Sequence, residues 1–416
     1  MNAAATADRP VALYVITDLP FPPRSGNHLR YLQIARALEM LGWSVRIVAC
    51  AVRADAAEAS IGPAGKLEAL IRPQAPTTRP LERAARAARI AAMIARGVET
   101  DPFAATYVRA GLDATVGEVV ARVQPDAIVL RSLFAHLVPA LRAPRRPVVL
   151  DVHDATPLMT KLLSASAPAL QRVGLAARYR IARRTDRLMA GADELWVPST
   201  REVTYFAERA AGVSAILVPN GIDVADDAAP CGPRSDHDLL LIGNFGWPAN
   251  LHAADTLVEA VLPAVRRHVP EARVVLVGRD LPEDRSRRWA DLPVEWRGVV
   301  PDIEPILKSA AAFVFAPPAW AISAMPLKVA EALASGTLLA ASPSALGGFP
   351  LRHGVEALVR EDPTELGSAL GEALEIPGRG AQISDAGRHW ARATLSVDSV
   401  VERLRRESLL GAASRR

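Results

Sequence analysis

Short apolar runs rich in β-branched residues alternate with segments of helical period along the whole chain. That alternation admits little besides parallel sheets covered by helices. The first unit is the clearest. VALYVIT (Val11 to Thr17) reads as a buried strand, LPFPPRSGNH as a loop, LRYLQIARALEMLG as a helix with apolar residues at Leu29, Leu32, Ala35, Leu38 and Leu41, and SVRIVAC as a second strand. Gly42 then stands where a helix C-cap belongs. Further strands are predicted at DAIVL, PVVLDV, ELWVPS and AILVPN, before a stretch, NGIDVADDAAPCGPRSDHD, that has no period and is rich in Gly, Pro and Asp. The alternation then restarts with LLLIGNF, a helix over about 253–268, RVVLVGR, VEWRGVV, AAFVFAP, a helix over about 326–335, and TLLAAS. A last helix is predicted over about 396–410.

With 416 residues the chain is too long for one ordinary core, so the break marks a domain boundary. The expected fold class is α/β: two doubly wound, Rossmann-like domains facing across a cleft. Their bounds are 1–222 and 238–394, with a linker at 223–237 and a C-terminal helix at 395–416 that crosses back to the first domain. In open α/β sheets ligands sit beyond the carboxyl ends of the strands, which directs attention to those loops.

Composition excludes several classes. Half of the residues are hydrophobic and 23% charged, which fits an ordered globular chain. No apolar run is long enough for a membrane span and the N-terminus lacks the pattern of a secretory signal, so the expected location is cytoplasmic. Cys50 and Cys231 make neither a disulfide framework nor a metal cluster. The net charge of +4 is modest, and no basic tract is interleaved with aromatics, so nucleic acid is not an expected partner. The densest basic cluster, Arg178 to Arg187, reads either as a solvated helix face or as a peripheral contact with the inner face of an anionic membrane.

Four segments can carry chemistry. PPRSGNH, with Gly26 and Asn27, follows the first strand and opens the first helix, where backbone N–H groups can face an anion; an ordinary βα turn is the alternative. It is not the dinucleotide fingerprint GxGxxG. VVLDVHDATP places Asp151, His153 and Asp154 at a strand end. His153 beside a carboxylate can act as an acid/base group or cap the following turn. Asp236-His237-Asp238 has the spacing of a metal motif but lies at the amino end of the next strand, so no metal site is assigned to it. Finally, PLKVAEALASGT puts Lys328 and Glu331 on one face of a helix start. Only four of the 49 basic residues are lysines, namely Lys66, Lys161, Lys308 and Lys328. A lysine there suits a phosphate and a glutamate one turn on suits vicinal hydroxyls; a surface ion pair is the alternative.

At these residues the chain resembles the GT-B fold glycosyltransferases of the GT4 family. The resemblance runs in order through LPFPPRSGNHLRYLQIARAL, VPNGID, IGNFGWPANLHAADTLVEAVLP, VVLVGR, EWRGVVPDIEPILKSAAAFVFAP and PLKVAEALASGT with LLAASPSALGG. It implies an enzyme that moves a sugar from a nucleotide-sugar donor to a hydroxyl acceptor (a glycan, a lipid-linked sugar or a small molecule), with retention and without metal. The nucleotide-sugar is a substrate, and no cofactor is implied. The first domain would be the acceptor side and the second the donor side. Gly26 and Asn27 would face the diphosphate, Glu331 the ribose hydroxyls, and Val299 and Val300 the nucleobase. Three departures stand out: Ser323 replaces the first glutamate of the family's E-x7-E motif, and Asn244 and Asn250 replace its Arg and Lys. The diphosphate charge would then fall on Lys328, Arg279 and helix N-termini. With His153 and Asp154, Lys328 completes the expected catalytic set. The same departures motivate one alternative, a GT-B-shaped binding or scaffold protein without catalysis.

Overall fold

The computed structural model describes residues 9–21, 26–51, 65–73, 104–153, 186–209, 212–222, 235–319 and 324–413. Asp154, Ser323, Cys231 and most of the basic cluster Arg178–Arg187 lie outside them. The chain divides into two compact units. One comprises Met1–Pro198, Glu202–Pro219 and Val400–Arg416, the other Ser199–Arg201 and Asn220–Ser399.

The first unit holds a seven-stranded sheet in the order β3-β2-β1-β4-β5-β6-β7. Its strands are β1 (Val11–Ile16), β2 (Ser44–Cys50), β3 (Lys66–Ile71), β4 (Ala127–Arg131), β5 (Val148–Asp151), β6 (Glu194–Val197) and β7 (Ser214–Leu217), and every pairing is parallel. A parallel sheet is covered on both faces, so its central strands must be apolar on both sides. Accordingly Val15 and Ile16 on β1, Ile128 and Val129 on β4, and Val149 and Leu150 on β5, one of each pair on either face, are all fully buried. Each such side chain contributes about 1.5–3 kcal/mol by leaving water. The crossover helix α1 (Gly26–Met40) follows β1, and α2 (Leu112–Val123) precedes β4.

Sequence periodicity points to Leu29, Leu32, Ala35 and Leu38 as the inner face of α1. The buried set is instead His28, Arg30, Tyr31, Ile34, Ala35, Ala37 and Leu38. The helix is rotated because its first turn buries polar side chains against the ends of β1 and β5, as described below.

The second unit holds six parallel strands in the order β10-β9-β8-β11-β12-β13. They are β8 (Asp238–Asn244), β9 (Arg273–Arg279), β10 (Val294–Trp296), β11 (Ala312–Phe315), β12 (Leu338–Ala341) and β13 (Leu358–Val359). The helix predicted from about 253 begins five residues earlier, as α3 (Pro248–Thr256). Pro248 sits in the first turn, where a missing N–H costs nothing and the fixed φ favours the helix. The helix α4 (Leu327–Ala334) joins β11 to β12, and α5 (Arg379–Leu395) packs against it. In both sheets the strand order reverses beside the first strand, between β1 and β4 and between β8 and β11. That is the switch point at which doubly wound sheets open a crevice.

The C-terminal helices α6 (Val397–Glu407) and α7 (Leu409–Ala413) pass from the second unit into the first. There the buried Glu194 carboxylate accepts hydrogen bonds from Ser408 Oγ (2.6 Å), the Leu409 amide (2.9 Å) and Trp196 Nε1 (2.5 Å). Trp43 Nε1 donates to the Leu410 carbonyl at 3.1 Å.

Candidate active site

In the second unit, Asn244, Arg279, Val299, Val300, Lys328 and Glu331 all stand at the carboxyl edge of one sheet. Asn244 ends β8, Arg279 ends β9, Val299 and Val300 follow β10, and α4 carries Lys328 and Glu331. The floor of this edge is backbone. Gly278 adopts φ +137°, and a Cβ there would lie 1.8 Å from the Gly243 carbonyl oxygen. Only glycine fits where β8 and β9 approach so closely. The Gly278 amide in turn donates to the Gly298 carbonyl at 2.7 Å, which fixes the loop bearing the strongly exposed Val299.

Lys328 lies at the switch point. Its Nζ donates to the Ile242 carbonyl on β8 at 2.9 Å and to Asn250 Oδ1 on α3 at 2.7 Å, and it stands 3.7 Å from the centre of the Phe315 ring at the end of β11. Burial pushes its pKa down from 10.5 to about 7, because an ammonium taken out of water loses hydration that neutral oxygens replace only in part. Among the described residues it pairs with no carboxylate, so a surface ion pair with Glu331 is not what is seen. The Glu331 carboxyl is itself pushed up by burial and makes no hydrogen bond or ion pair there.

Asn250 is tied at both ends. Its Nδ2 donates to the Asn244 carbonyl at 2.8 Å, which turns Oδ1 toward Lys328. Asn244 Oδ1 accepts from the Gly246 amide at 2.9 Å and so shapes the turn into α3. Arg279 is exposed, its Nε 3.5 Å from Asp280.

A second cluster occupies the switch point of the first sheet. Asp151, fully buried at the end of β5, accepts from Tyr14 Oη at 2.6 Å and from Arg30 Nε at 2.8 Å. His153 Nε2 lies 2.9 Å from Asp151 Oδ2; a carboxylate only accepts, so the imidazole proton is on Nε2. That leaves Nδ1 to accept from Arg131 at 3.1 Å; Asn27 Oδ1, also an acceptor, stands 3.1 Å from the same nitrogen and shares no proton with it. Arg131 also donates to Tyr31 Oη at 2.5 Å and Thr17 Oγ1 at 3.2 Å.

Burial works against charge on Asp151, yet Arg30, His153 and Tyr14 hold its carboxyl below the usual carboxylate range. Burial, reinforced by Arg131, pushes His153 down to about 4 against the pull of Asp151. At neutral pH the ring is uncharged with both nitrogens engaged. Arg30 also donates to the Val218 carbonyl at 2.9 Å. The need to seat Arg30, Tyr31 and His28 is what rotates the first helix.

The sequence of the chain matches two family models, a glycosyl transferase 4-like domain over residues 25–221 and glycosyl transferases group 1 over residues 236–375. The chain is a GT4-type glycosyltransferase of the GT-B fold. Solved structures agree on the architecture of this glycosyltransferase. Sucrose-phosphate synthase from Thermosynechococcus elongatus superposes with a TM-score of 0.67 at 19% identity, over 95% of this chain and 97% of that one. WaaG, a glycosyltransferase involved in lipopolysaccharide biosynthesis, gives 0.59 at 16% identity over 94% and 98%. Anabaena HepE in complex with UDP-glucose gives 0.59 at 16% identity over 95% and 98%. No curated protein matches the glycosyltransferase in sequence.

Of the residues singled out from the sequence of this glycosyltransferase, the second unit brings Asn244, Lys328 and Glu331 to one edge with Arg279, Val299 and Val300. The first unit brings Asn27 to His153, while Gly26 is exposed at the start of α1. Asp238 is the first residue of β8 and is held by Arg273, Nε to Oδ1 at 2.6 Å and a second guanidinium nitrogen to Oδ2 at 3.2 Å. No group of His, Cys, Asp and Glu among the described residues is placed to hold a metal. No helix among them is long and apolar enough to cross a membrane. Arg30, Arg131, Tyr14 and Tyr31 stand in no sequence motif that marks them as site residues. The one available signal was an arginine ending the buried run AIVLR, at the strand end where ligands gather.

Proposed function

We propose that this glycosyltransferase holds a nucleoside-diphosphate sugar at the carboxyl edge of the second sheet and transfers the sugar to a hydroxyl acceptor, with retention and without metal assistance. The observation that carries the reading is Lys328. A part-buried amine faced by neutral oxygens and a ring, at the switch point of a Rossmann-like sheet, is placed to meet an anion at the strand ends. A diphosphate supplies that charge, and stabilising it as it departs is the largest service an enzyme can render this reaction.

Glu331, without a partner among the described residues, takes the ribose hydroxyls, and the backbone at Val299 and Val300 meets the base. Arg279, exposed beside Asp280, swings toward the outer phosphate. The neighbour HepE holding UDP-glucose supports a nucleotide-sugar as donor. In the first unit, Gly26 and Asn27 open α1, whose N-terminal amides favour an anion. His153 serves there as a neutral hydrogen-bonding group, since a ring titrating near 4 carries no second proton at neutral pH and its one N–H is given to Asp151.

Thermal protection by UDP, GDP and dTDP tests the binding half of this reading. A ligand at a hundred times its dissociation constant adds about 2.7 kcal/mol of stability. Nucleotide release from the matching sugar donor, with and without EDTA, tests the rest. Protection by none of the three, or activity lost to EDTA and restored by Mg²⁺ or Mn²⁺, would overturn the proposal.

A further inference from the structure

We infer that Trp296 is the platform on which the nucleobase of the donor stacks: the indole holds the base by its face, and the backbone of the following loop reads its edge. The inference rests on the donor-site reading above and deepens it.

Trp43, Trp196 and Trp289 are buried, whereas Trp247 and Trp296 are 58% and 45% exposed. Both exposed tryptophans stand at the carboxyl edge of the second sheet, Trp247 at the start of α3 and Trp296 at the end of β10. An indole left in water at the edge where such sheets take their ligands is apolar surface held ready for contact.

Trp296 is also fixed in direction. Its register partner on β9 is Leu276, yet its Nε1 donates to the carbonyl of Gly278, two residues further on, at 3.0 Å. The indole therefore leans toward the carboxyl end of β9. The Gly278 amide donates to the Gly298 carbonyl at 2.7 Å, so this glycine gives both of its backbone groups to the segment 296–298. Glu295 and Arg297, on the opposite face of the strand, pair with each other at 2.7 and 3.1 Å and leave the indole face clear of their charges. The chain then turns at Gly298 into Val299, which is 74% exposed. A tethered indole is followed at once by an exposed loop backbone.

The strand order decides which part of the donor lies here. Lys328 reaches the backbone of β8 and the ring of Phe315 on β11, whereas β10 is the outermost strand, with β9 between it and β8. Two strand spacings amount to about 10 Å, a gap that the ribose of a nucleoside diphosphate can bridge. With the diphosphate at Lys328, the base falls at β10 and the sugar on the far side of the phosphates. A nucleobase is flat and every base has a π face, so stacking supplies affinity without choosing among bases. The choice is left to the loop backbone at Val299 and Val300.

Titration calorimetry with uridine, guanosine and thymidine and with their diphosphates, on the parent, Trp296→Leu and Trp296→Phe, tests this. Leucine keeps apolar bulk without a ring, and phenylalanine keeps a ring without the N–H. Trp296→Leu should lose about 5- to 150-fold in affinity for the cognate nucleoside, the range for removing one base–aromatic stack, and the same factor for its diphosphate. Trp296→Phe should lose clearly less, and in turnover assays the loss should appear in the KM for the donor. In the parent labelled with ¹⁵N-tryptophan, which has seven indole signals, the Trp296 signal, assigned by its absence from Trp296→Phe, should shift with cognate nucleoside while those of Trp43 and Trp196 stay in place. Parent-like affinity in Trp296→Leu, equal losses in the two variants, or a Trp296 signal unmoved at saturation overturns the inference; if the parent binds a nucleoside diphosphate all the same, the donor reading survives. A parent that binds none of the three diphosphates overturns both.

Discussion

Replacing Lys328 by methionine should make the protein more stable while damaging its site. Methionine keeps most of the stem and removes the amine, so the packing on Phe315 and α3 is largely retained. The fall in pKa from 10.5 to about 7 corresponds to a penalty of about 4 kcal/mol at neutral pH. Partial exposure of the side chain and relaxation around it reduce that to about 2 kcal/mol of expected gain, from which the two lost hydrogen bonds subtract. The sign follows from linkage. The unfolded lysine stays protonated up to its ordinary pKa, whereas the folded one prefers to be neutral above about 7. The penalty is therefore full below pH 7 and fades as the pH rises toward 10.5. Urea unfolding of both proteins at pH 7 and pH 9.5 reads this directly, with the variant ahead at pH 7 and its lead reduced at pH 9.5. A variant less stable than the parent at pH 7, or a difference that does not change with pH, would refute the reasoning.

Other perturbations probe separate parts of the account. Glu331→Gln should weaken nucleoside binding by about 1.5–3 kcal/mol with little change in melting temperature, since an amide is the poorer acceptor for two hydroxyls; unchanged affinity in calorimetry would remove the ribose assignment. His153 binds its proton more weakly folded than unfolded, so stability should decline as pH falls from about 6.5 toward 4. In His153→Asn that segment of the stability–pH curve should flatten, and a curve parallel to the parent's would show that the ring is not neutral. Arg30→Met should cost about 3–5 kcal/mol in chemical denaturation by stranding the buried Asp151 charge, and a loss under 1 would mean that solvent reaches the cluster. Glu194→Ala removes the acceptor for Ser408, Leu409 and Trp196, at about 1–3 kcal/mol, and should expose the chain after Glu407 to limited proteolysis. Unaltered cleavage would show that the carboxylate does not hold that segment.

Both sheets were legible in the sequence because parallel strands are apolar on both faces. VALYVI, LLLIGN, RVVLVGR and AFVF are continuous runs that no amphipathic helix would produce. The exception is β3, whose KLEALI alternates charge and apolar character at a half-exposed edge within a stretch that offered no motif. Edge strands bury only part of their surface, so their signal is diluted. The buried face of α1 was unreadable for a different reason. Arg30 is interior because it meets Asp151, 121 residues further on, and no local period carries that information. The substitution of Asn250 for a lysine reads, in isolation, as the loss of a cation from the site. The structure shows the asparagine amide engaged with Lys328, 78 residues away, so the position serves the cation contributed by α4. Long-range polar pairings of this kind decide what a site can do, while hydrophobic period decides only where the site will be.

The most direct test of the donor site compares the affinities of uridine, UDP and UDP-glucose for the parent protein and for Lys328→Met by titration calorimetry, alongside guanosine, GDP and GDP-mannose. If Lys328 answers the diphosphate, the variant should lose at least tenfold in affinity for the diphosphate compound of the cognate base and bind the free nucleoside as the parent does. Equal losses on nucleoside and diphosphate, or no loss on either, would contradict the account and leave Lys328 as a residue of the fold alone.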